Sequence, residues 1–412
     1  MAGPLNHIRV LDLSRVLAGP WAGQTLADLG AEVIKVERPG NGDDTRGWGP
    51  PFLHNKAGQP TSDAAYFLSA NRGKKSVSID FTRPAGRELV CQLAEKSDIL
   101  LENFKVDGLA KYGLDYETLK KINPRLIYCS ITGFGQTGPY RQRAGYDFLI
   151  QGMGGLMSVT GEPDSEPGGG PMKVGVAIVD IFTGMYASTA VLAALAHRER
   201  TGEGQHLDLA LLDVQVATLA NQAMNYLVSG CEPQRLGNAH PNIVPYQALA
   251  TADGYIILAI GNDKQFSKFC ILAGRAELAE DVRFISNAAR VENRKVLIPM
   301  LEQALQQRKS AEWMSILDAA GIPCGPINTL AEVFSDPQVE ARQMRIELEH
   351  QRGGKVALVG SPMKFSASPV EYKQAPPLLG EHNTEILGEL LGLSAQVRQK
   401  LAEDGVIDIC ML

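Results

Sequence analysis

The first third of the chain switches its hydrophobic period again and again, and that alternation limits the possible fold more than any single motif. HIRVLDL (7–13) alternates as a strand, AGPWAGQTLADLGA (18–31) carries apolar residues at helical spacing, and EVIKVE (32–37) returns to the strand pattern. The cycle resumes in SVSIDF (76–81), RPAGRELVCQLAEKS (83–97), DILLENF (98–104), YETLKKIN (116–123) and LIYCSITGF (126–134). Short strands separated by helical segments argue for parallel βαβ units with helices on both faces of one sheet. The expected fold is α/β. A Rossmann-like large domain with a parallel sheet spans 1–228, a smaller α/β domain spans 229–335, and the C-terminal segment 336–412 returns to the large domain.

The formal charge of -6 and pI near 5.7 supply no broad positive field, so nucleic acid and anionic membrane are not expected partners. The N-terminal MAGPLNHIRVLDLS lacks the layout of a signal peptide, and no run of roughly 18 apolar residues predicts a membrane span. Cys91, Cys129, Cys231, Cys270, Cys324 and Cys410 are far apart, with no C-x-x-C and no zinc spacing. Free buried thiols in a reducing cytoplasm are the expectation, with no metal site.

Two features carry chemistry. VGVAIVDIFTGM (174–185) sets Asp180 in an apolar run, ahead of a long helix expected to begin near Ile181. Its carboxylate can cap the orphan N–H groups of that helix. Equally, a poorly hydrated carboxylate kept ionised by the helix dipole is a nucleophile, with N–H groups nearby for an oxyanion. Both readings fit the local sequence. The second feature is a basic cluster, NRGKKS (71–76), before a strand, with Arg38 directly after another. A charge run is usually a solvated loop, but cations at the ends of parallel strands sit where such sheets bind phosphates. LAGPWAG stands where a dinucleotide fold would carry G-x-G-x-x-G, which favours a phosphorylated adenosine without nicotinamide.

VLDLSRVLAGPWAGQTLADLGAEVIKVERPGNGDDTRGW, NRGKKSVSID, DILLENF, GLDYETLKKINPRLIYCSITGFGQTGPY, the Asp180 stretch, GIPCGPIN and PPLLGEHNTEIL together resemble the family III CoA-transferases, from about residue 5 to 400. The resemblance implies that Asp180 attacks an acyl-CoA thioester and passes CoA to a carboxylic acid through mixed anhydrides and an aspartyl-CoA thioester. No cofactor is then bound permanently, because CoA and acyl-CoA are substrates. It also implies that Val16, Leu17 and Ala18 line the adenine or pantetheine path. Arg38, Arg72 and Lys75 would hold the CoA phosphates, and Asn103, Phe104, Lys105, Lys111 and Arg143 would follow along the CoA. The family's interlocked homodimer is a further implication.

Related racemases pair the equivalent aspartate with a histidine in a segment like AGHD. Here Ala144, Gly145, Tyr146 and Asp147 fill that segment, and a phenol titrating near pH 10 is a poor base, so transfer is favoured over racemisation. GNAHPNIVPYQ (237–247), with one glycine, stands where formyl-CoA transferase has a glycine-only loop, so a formyl-CoA or oxalate-type transferase is kept as the alternative, beside a racemase. The segment through Phe266 is more similar to transferases that pair succinyl-CoA with glutarate, hydroxymethylglutarate or itaconate. Tyr146, Asp147, His240, Asn242, Arg46 and Trp48 are the candidate substrate contacts. A non-catalytic CoA-binding protein, with Asp180 only a cap, is the reading from another class.

Overall fold

A computed structural model describes residues 3–408, so Cys410 lies outside the described residues. Six strands form one sheet: β1 (Arg9–Asp12), β2 (Glu32–Glu37), β3 (Lys74–Ser78), β4 (Ile99–Glu102), β5 (Ile127–Thr132) and β6 (His206–Ala210). Their order is β3-β2-β1-β4-β5-β6, and every neighbouring pair is parallel. Order reverses between β1 and β4, so the segments leaving those strands diverge and leave a crevice at their carboxyl ends. SVSIDF was expected to pair from residue 76, but the strand starts at Lys74, where pairing with Val33 begins.

Period-two patterning divides the core between the faces. Val10, Val33, Ile99, Leu101, Ile127 and Cys129 point to one side, against α1 (Ala18–Asp28) and α5 (Ile178–Thr201). Leu11, Ile34, Leu100 and Tyr128 point to the other, against α2 (Pro84–Glu95) and α3 (Tyr116–Ile122). Each such aliphatic side chain contributes about 1.5–3 kcal/mol on burial.

Among the described residues, α5 alone is long and apolar enough to cross a membrane, which corrects the expectation that no such run exists. Its Val179, Ala187, Val191 and Ala194 are nevertheless core residues beside Ala22 and Leu26 of α1. Gly184 permits that contact, since a Cβ there would lie 2.6 Å from the Ala18 carbonyl oxygen.

The chain divides into two compact units, residues 1–154, 175–218 and 337–412 against 155–174 and 219–336. In the second unit, β7 (Tyr246–Ala250) and β8 (Tyr255–Ala259) form an antiparallel hairpin joined by β9 (Cys324–Gly325), over a core containing Phe266, Phe269, Leu301 and Trp313. The 155–174 segment was placed with the large domain in the sequence reading. It groups here because Gly237 N donates to Gly161 O (3.0 Å) and Arg235 Nε donates to Glu162 O (3.2 Å). In the first unit, His382 N donates to Ser76 O and Asn383 bonds Ser78, fixing the C-terminal segment beside β3.

Candidate active site

Chain leaving β1 turns sharply at Val16, whose φ of 71° is rare for a β-branched residue and costs of order 1–3 kcal/mol. The Asp43 carboxylate accepts the Val16 N–H at 3.3 Å and is itself ion-paired to fully buried Lys35 at 2.8 Å. Despite the desolvation of burial, Lys35 and the Thr45 hydrogen bonds hold Asp43 down at about 2. Asn103, after β4, ties the two diverging strand ends together by accepting from Arg15 N (2.9 Å) and donating to Arg15 O (2.7 Å).

Between these ends opens a cleft of about 730 Å³. Val16, Leu17, Ala18, Asn103, Phe104, Lys105, Lys111 and Arg143 line it, as do Trp48, Tyr146 and Asp180. A second cavity of about 330 Å³, containing Arg38, shares Arg15, Phe81, Thr82 and Phe104 with the first. The Arg143 guanidinium lies over Tyr140 and Phe134, and Lys111 over Tyr112, which stiffens both cations.

Asp180 occupies the third position of α5, which begins at Ile178 rather than near Ile181. Its side chain is not the cap. Ala177 is the N-cap and has no side-chain acceptor, and the role falls to Asp147, the first residue of α4 (Asp147–Met153). Asp147 Oδ2 accepts the N–H groups of Val179 (2.8 Å) and Asp180 (3.3 Å), while Oδ1 accepts from Gln151 Nε2 (2.6 Å). Asp147 was expected to meet substrate; its oxygens are instead committed to α5 and Gln151. Burial first, then the negative charge of Asp147, pushes Asp180 up to about 7, against the expectation that the helix keeps it fully ionised.

Three expected ligand contacts are engaged elsewhere. Arg46 is buried between Glu37 (2.8 Å) and Asp63 (2.9 Å) and donates to Pro377 O, so it has no face for substrate. Arg72 chelates Asp28 at the end of α1 and donates to Val359 O. Lys75 bridges Glu32 (2.7 Å) and Glu385 (2.6 Å). Arg72 and Lys75 sit where β3 begins, at the strand ends opposite the cleft, because a cluster preceding a strand marks its amino end.

His240 and Asn242 fall in the second unit. There Asn242 N donates to His240 Nδ1, and the Asn242 side-chain oxygen accepts from Asn221 and Asn225. Arg15 and Tyr66 were missed by the sequence reading. Arg15 follows a strand in LDLSRVL, the same signal that singled out Arg38. Tyr66 carries no motif; its phenol is pushed up by burial and by the charges of Asp180, Asp147 and Asp43, and its ring meets Trp48 edge-on at 5.3 Å.

Another acid shares the unusual proton affinity. Burial pushes Glu102 up to about 7 beside a separate 220 Å³ cavity, where it accepts from Phe104 N at 2.8 Å and bonds Ser130, whose hydroxyl meets His206 Nε2 at 2.9 Å. Among the described residues no three His, Cys, Asp or Glu side chains gather as a metal site, and Cys91, Cys129, Cys231, Cys270 and Cys324 are free thiols. Cys231 is exposed, unlike the buried thiols expected.

The parallel sheet thus carries, at its switch point, a cleft lined by Arg15, Lys105, Lys111 and Arg143 with an acid at a helix start. The chain belongs to CoA-transferase family III, whose pattern matches residues 5–383, and it is a CoA-transferase. It is 54% identical to the succinate–glutarate CoA-transferase of Agrobacterium fabrum, over 94% of this chain and 96% of the relative. It is 43% identical to the succinyl-CoA:glutarate CoA-transferase of Homo sapiens, over 98% of this chain and 90% of that one. A crystal structure of a CAIB/BAIF family protein from Brucella suis superposes with a TM-score of 0.82 at 54% identity, covering 95% of this chain and 100% of that one.

Proposed function

We propose that this protein moves CoA from succinyl-CoA to glutarate, with Asp180 as nucleophile. The observation that carries the reading is the Asp180 carboxyl at the start of α5, opening on a cleft whose other residues include Lys105, Lys111 and Arg143. The names of the relatives support the choice of acids. Arg38 and Arg15 suit the phosphates of CoA, while Val16, Leu17 and Ala18 flank a path toward the thioester.

Asp180 carboxylate adds to the succinyl thioester carbonyl, and collapse expels CoA thiolate and leaves a succinyl–aspartyl anhydride. Thiolate then attacks the aspartyl carbon, releasing succinate and forming an aspartyl-CoA thioester. Glutarate carboxylate attacks that thioester, again expelling thiolate, and thiolate attack on the glutaryl carbonyl frees Asp180 and glutaryl-CoA. One thioester replaces another, so the exchange needs no ATP, metal or resident cofactor.

We read the working form as a cytoplasmic homodimer. Phe148, Leu149 and Met153 of α4, with Phe182, Met185 and Tyr186 of α5, are exposed apolar side chains within one unit, a surface suited to a second copy. The five free thiols among the described residues suit a reducing compartment.

Incubation with succinyl-CoA and a mixture of glutarate, itaconate, malate, hydroxymethylglutarate, oxalate and formate, followed by mass spectrometry, tests the reading. Glutaryl-CoA is the expected main product. Oxalyl-CoA or formyl-CoA alone, or no exchange with any acid, overturns it.

A further inference from the structure

A carboxylate in the first turn of a helix ordinarily gains from the dipole and the unpaired N–H groups, which make it a weaker base. Asp180 is denied much of that help. The N–H groups of Val179 and of Asp180 itself point to Asp147 Oδ2, and Gln151 fixes Asp147 through its other oxygen. A close backbone approach brings Asp147 there: a Cβ on Gly145 would lie 2.4 Å from Gly133 Cα, so the 144–147 turn can press against the end of β5 only as glycine.

We propose that Asp147 is a positioning residue that holds the first turn of α5, takes its amide hydrogens away from the Asp180 carboxylate and sets its own negative charge beside that carboxylate, and so keeps it a strong nucleophile. The inference rests on the reading of Asp180 as nucleophile. Attack on a thioester is faster for a more basic oxygen of the same type, as general Brønsted behaviour requires. An uncharged cap would leave the helix just as well ended but the nucleophile weaker. The raised proton affinity of Asp180, with burial as its main cause and Asp147 as the second, agrees with this arrangement.

Other ionisable groups face the same site. Tyr66 feels the Asp180 charge, and Arg15, Asp44, Lys105, Lys111 and Arg143 line the cleft. Of the elements packed on α5, α1 carries Asp28, tied to Arg72, and β6 carries Asp208, which accepts from Gln136 N. The helix Leu211–Thr218 adds exposed Asp213. None of these accepts the α5 amides; Asp147 does.

Asp147→Asn keeps an oxygen for both amides and removes the charge. The pH profile of kcat/KM for succinyl-CoA should then keep its acid limb but move it down by about one pH unit, with a plateau several-fold lower. Asp147→Ser, a neutral cap, should move it the same way. An unchanged midpoint beneath a uniformly lowered profile would mean a structural cap only, and would overturn the proposal. Melting temperatures of Asp180→Asn and its parent, compared at pH 5 and pH 8 in wild-type and Asp147→Asn backgrounds, read the same coupling without turnover. The pH-dependent difference should shrink in the second background, and an identical difference in both contradicts the proposal. If Asp180→Asn retained full turnover, the nucleophile reading would fail while the melting comparison still reported on Asp147.

Discussion

Asp180 and Glu102 are both carboxyl groups that burial pushes up to about 7, in one unit of one chain, yet of the two only Asp180, the proposed nucleophile, lines the 730 Å³ cleft. Glu102 closes strand β4 and spends its oxygens on the Phe104 amide and the Ser130 hydroxyl, beside a 220 Å³ cavity. Asp180 lines the 730 Å³ cleft, with Asp147 between it and the amides of its own helix. A displaced proton affinity marks burial. Access to a long cleft, with the competing hydrogen-bond donors already taken, marks chemistry.

The largest effect that can break this comparison is on turnover. Asp180→Asn should lower glutaryl-CoA formation by on the order of 10³-fold or more, as loss of a covalent nucleophile does, whereas Glu102→Gln should stay within a few-fold. Equal losses in the two variants would erase the distinction.

Stability should group the two acids again. Asp180 binds its proton more tightly folded than unfolded, between 3.8 and about 7, so its contribution to stability is complete below that window and is lost as pH rises through it. Asp180→Asn removes that loss and should exceed wild type by about 4 kcal/mol at pH 8 and about 2 kcal/mol at pH 5. Glu102→Gln should show the same sign, read from urea unfolding at both pH values. A gap independent of pH would show that Asp180 keeps an ordinary acidity.

The two ends of the strands sharpen the contrast at smaller scale. Arg143→Ala, in the cleft, should raise KM for succinyl-CoA roughly 3- to 30-fold with little change in kcat, the loss of one charge-assisted contact. Lys75→Ala, at the amino end of β3, should leave KM within about two-fold. The smallest effect is expected at Val16, where Val16→Gly should relieve about 1 kcal/mol of backbone strain while weakening CoA binding by loosening the turn; calorimetry with CoA measures both.

What the sequence made legible follows from how local each signal is. The parallel βαβ sheet could be read from the alternating periods, but its strand order could not, because pairing between β1 and β4 joins segments far apart in the chain; Val16, Leu17, Ala18, Asn103 and Phe104 came from the resemblance to the family. Arg72 and Lys75 misled because their run precedes β3 and so lies at its amino end, away from the carboxyl-end cleft, and because their partners Asp28 and Glu385 are distant in sequence. Arg46 was unreadable for the same reason, since Glu37, Asp63 and Pro377 meet it only in three dimensions. Asp147 was noticed for its position, but its bond to α5 crosses 32 residues, and no local pattern announces a cap supplied from another helix.

The most direct test of the central claim is intact-mass and peptide analysis of the enzyme after brief mixing with succinyl-CoA and acid quench. A CoA adduct on the peptide bearing Asp180, absent from Asp180→Asn and discharged by glutarate, is the predicted result. Turnover without any enzyme-bound CoA, or an adduct on a different residue, would contradict the account.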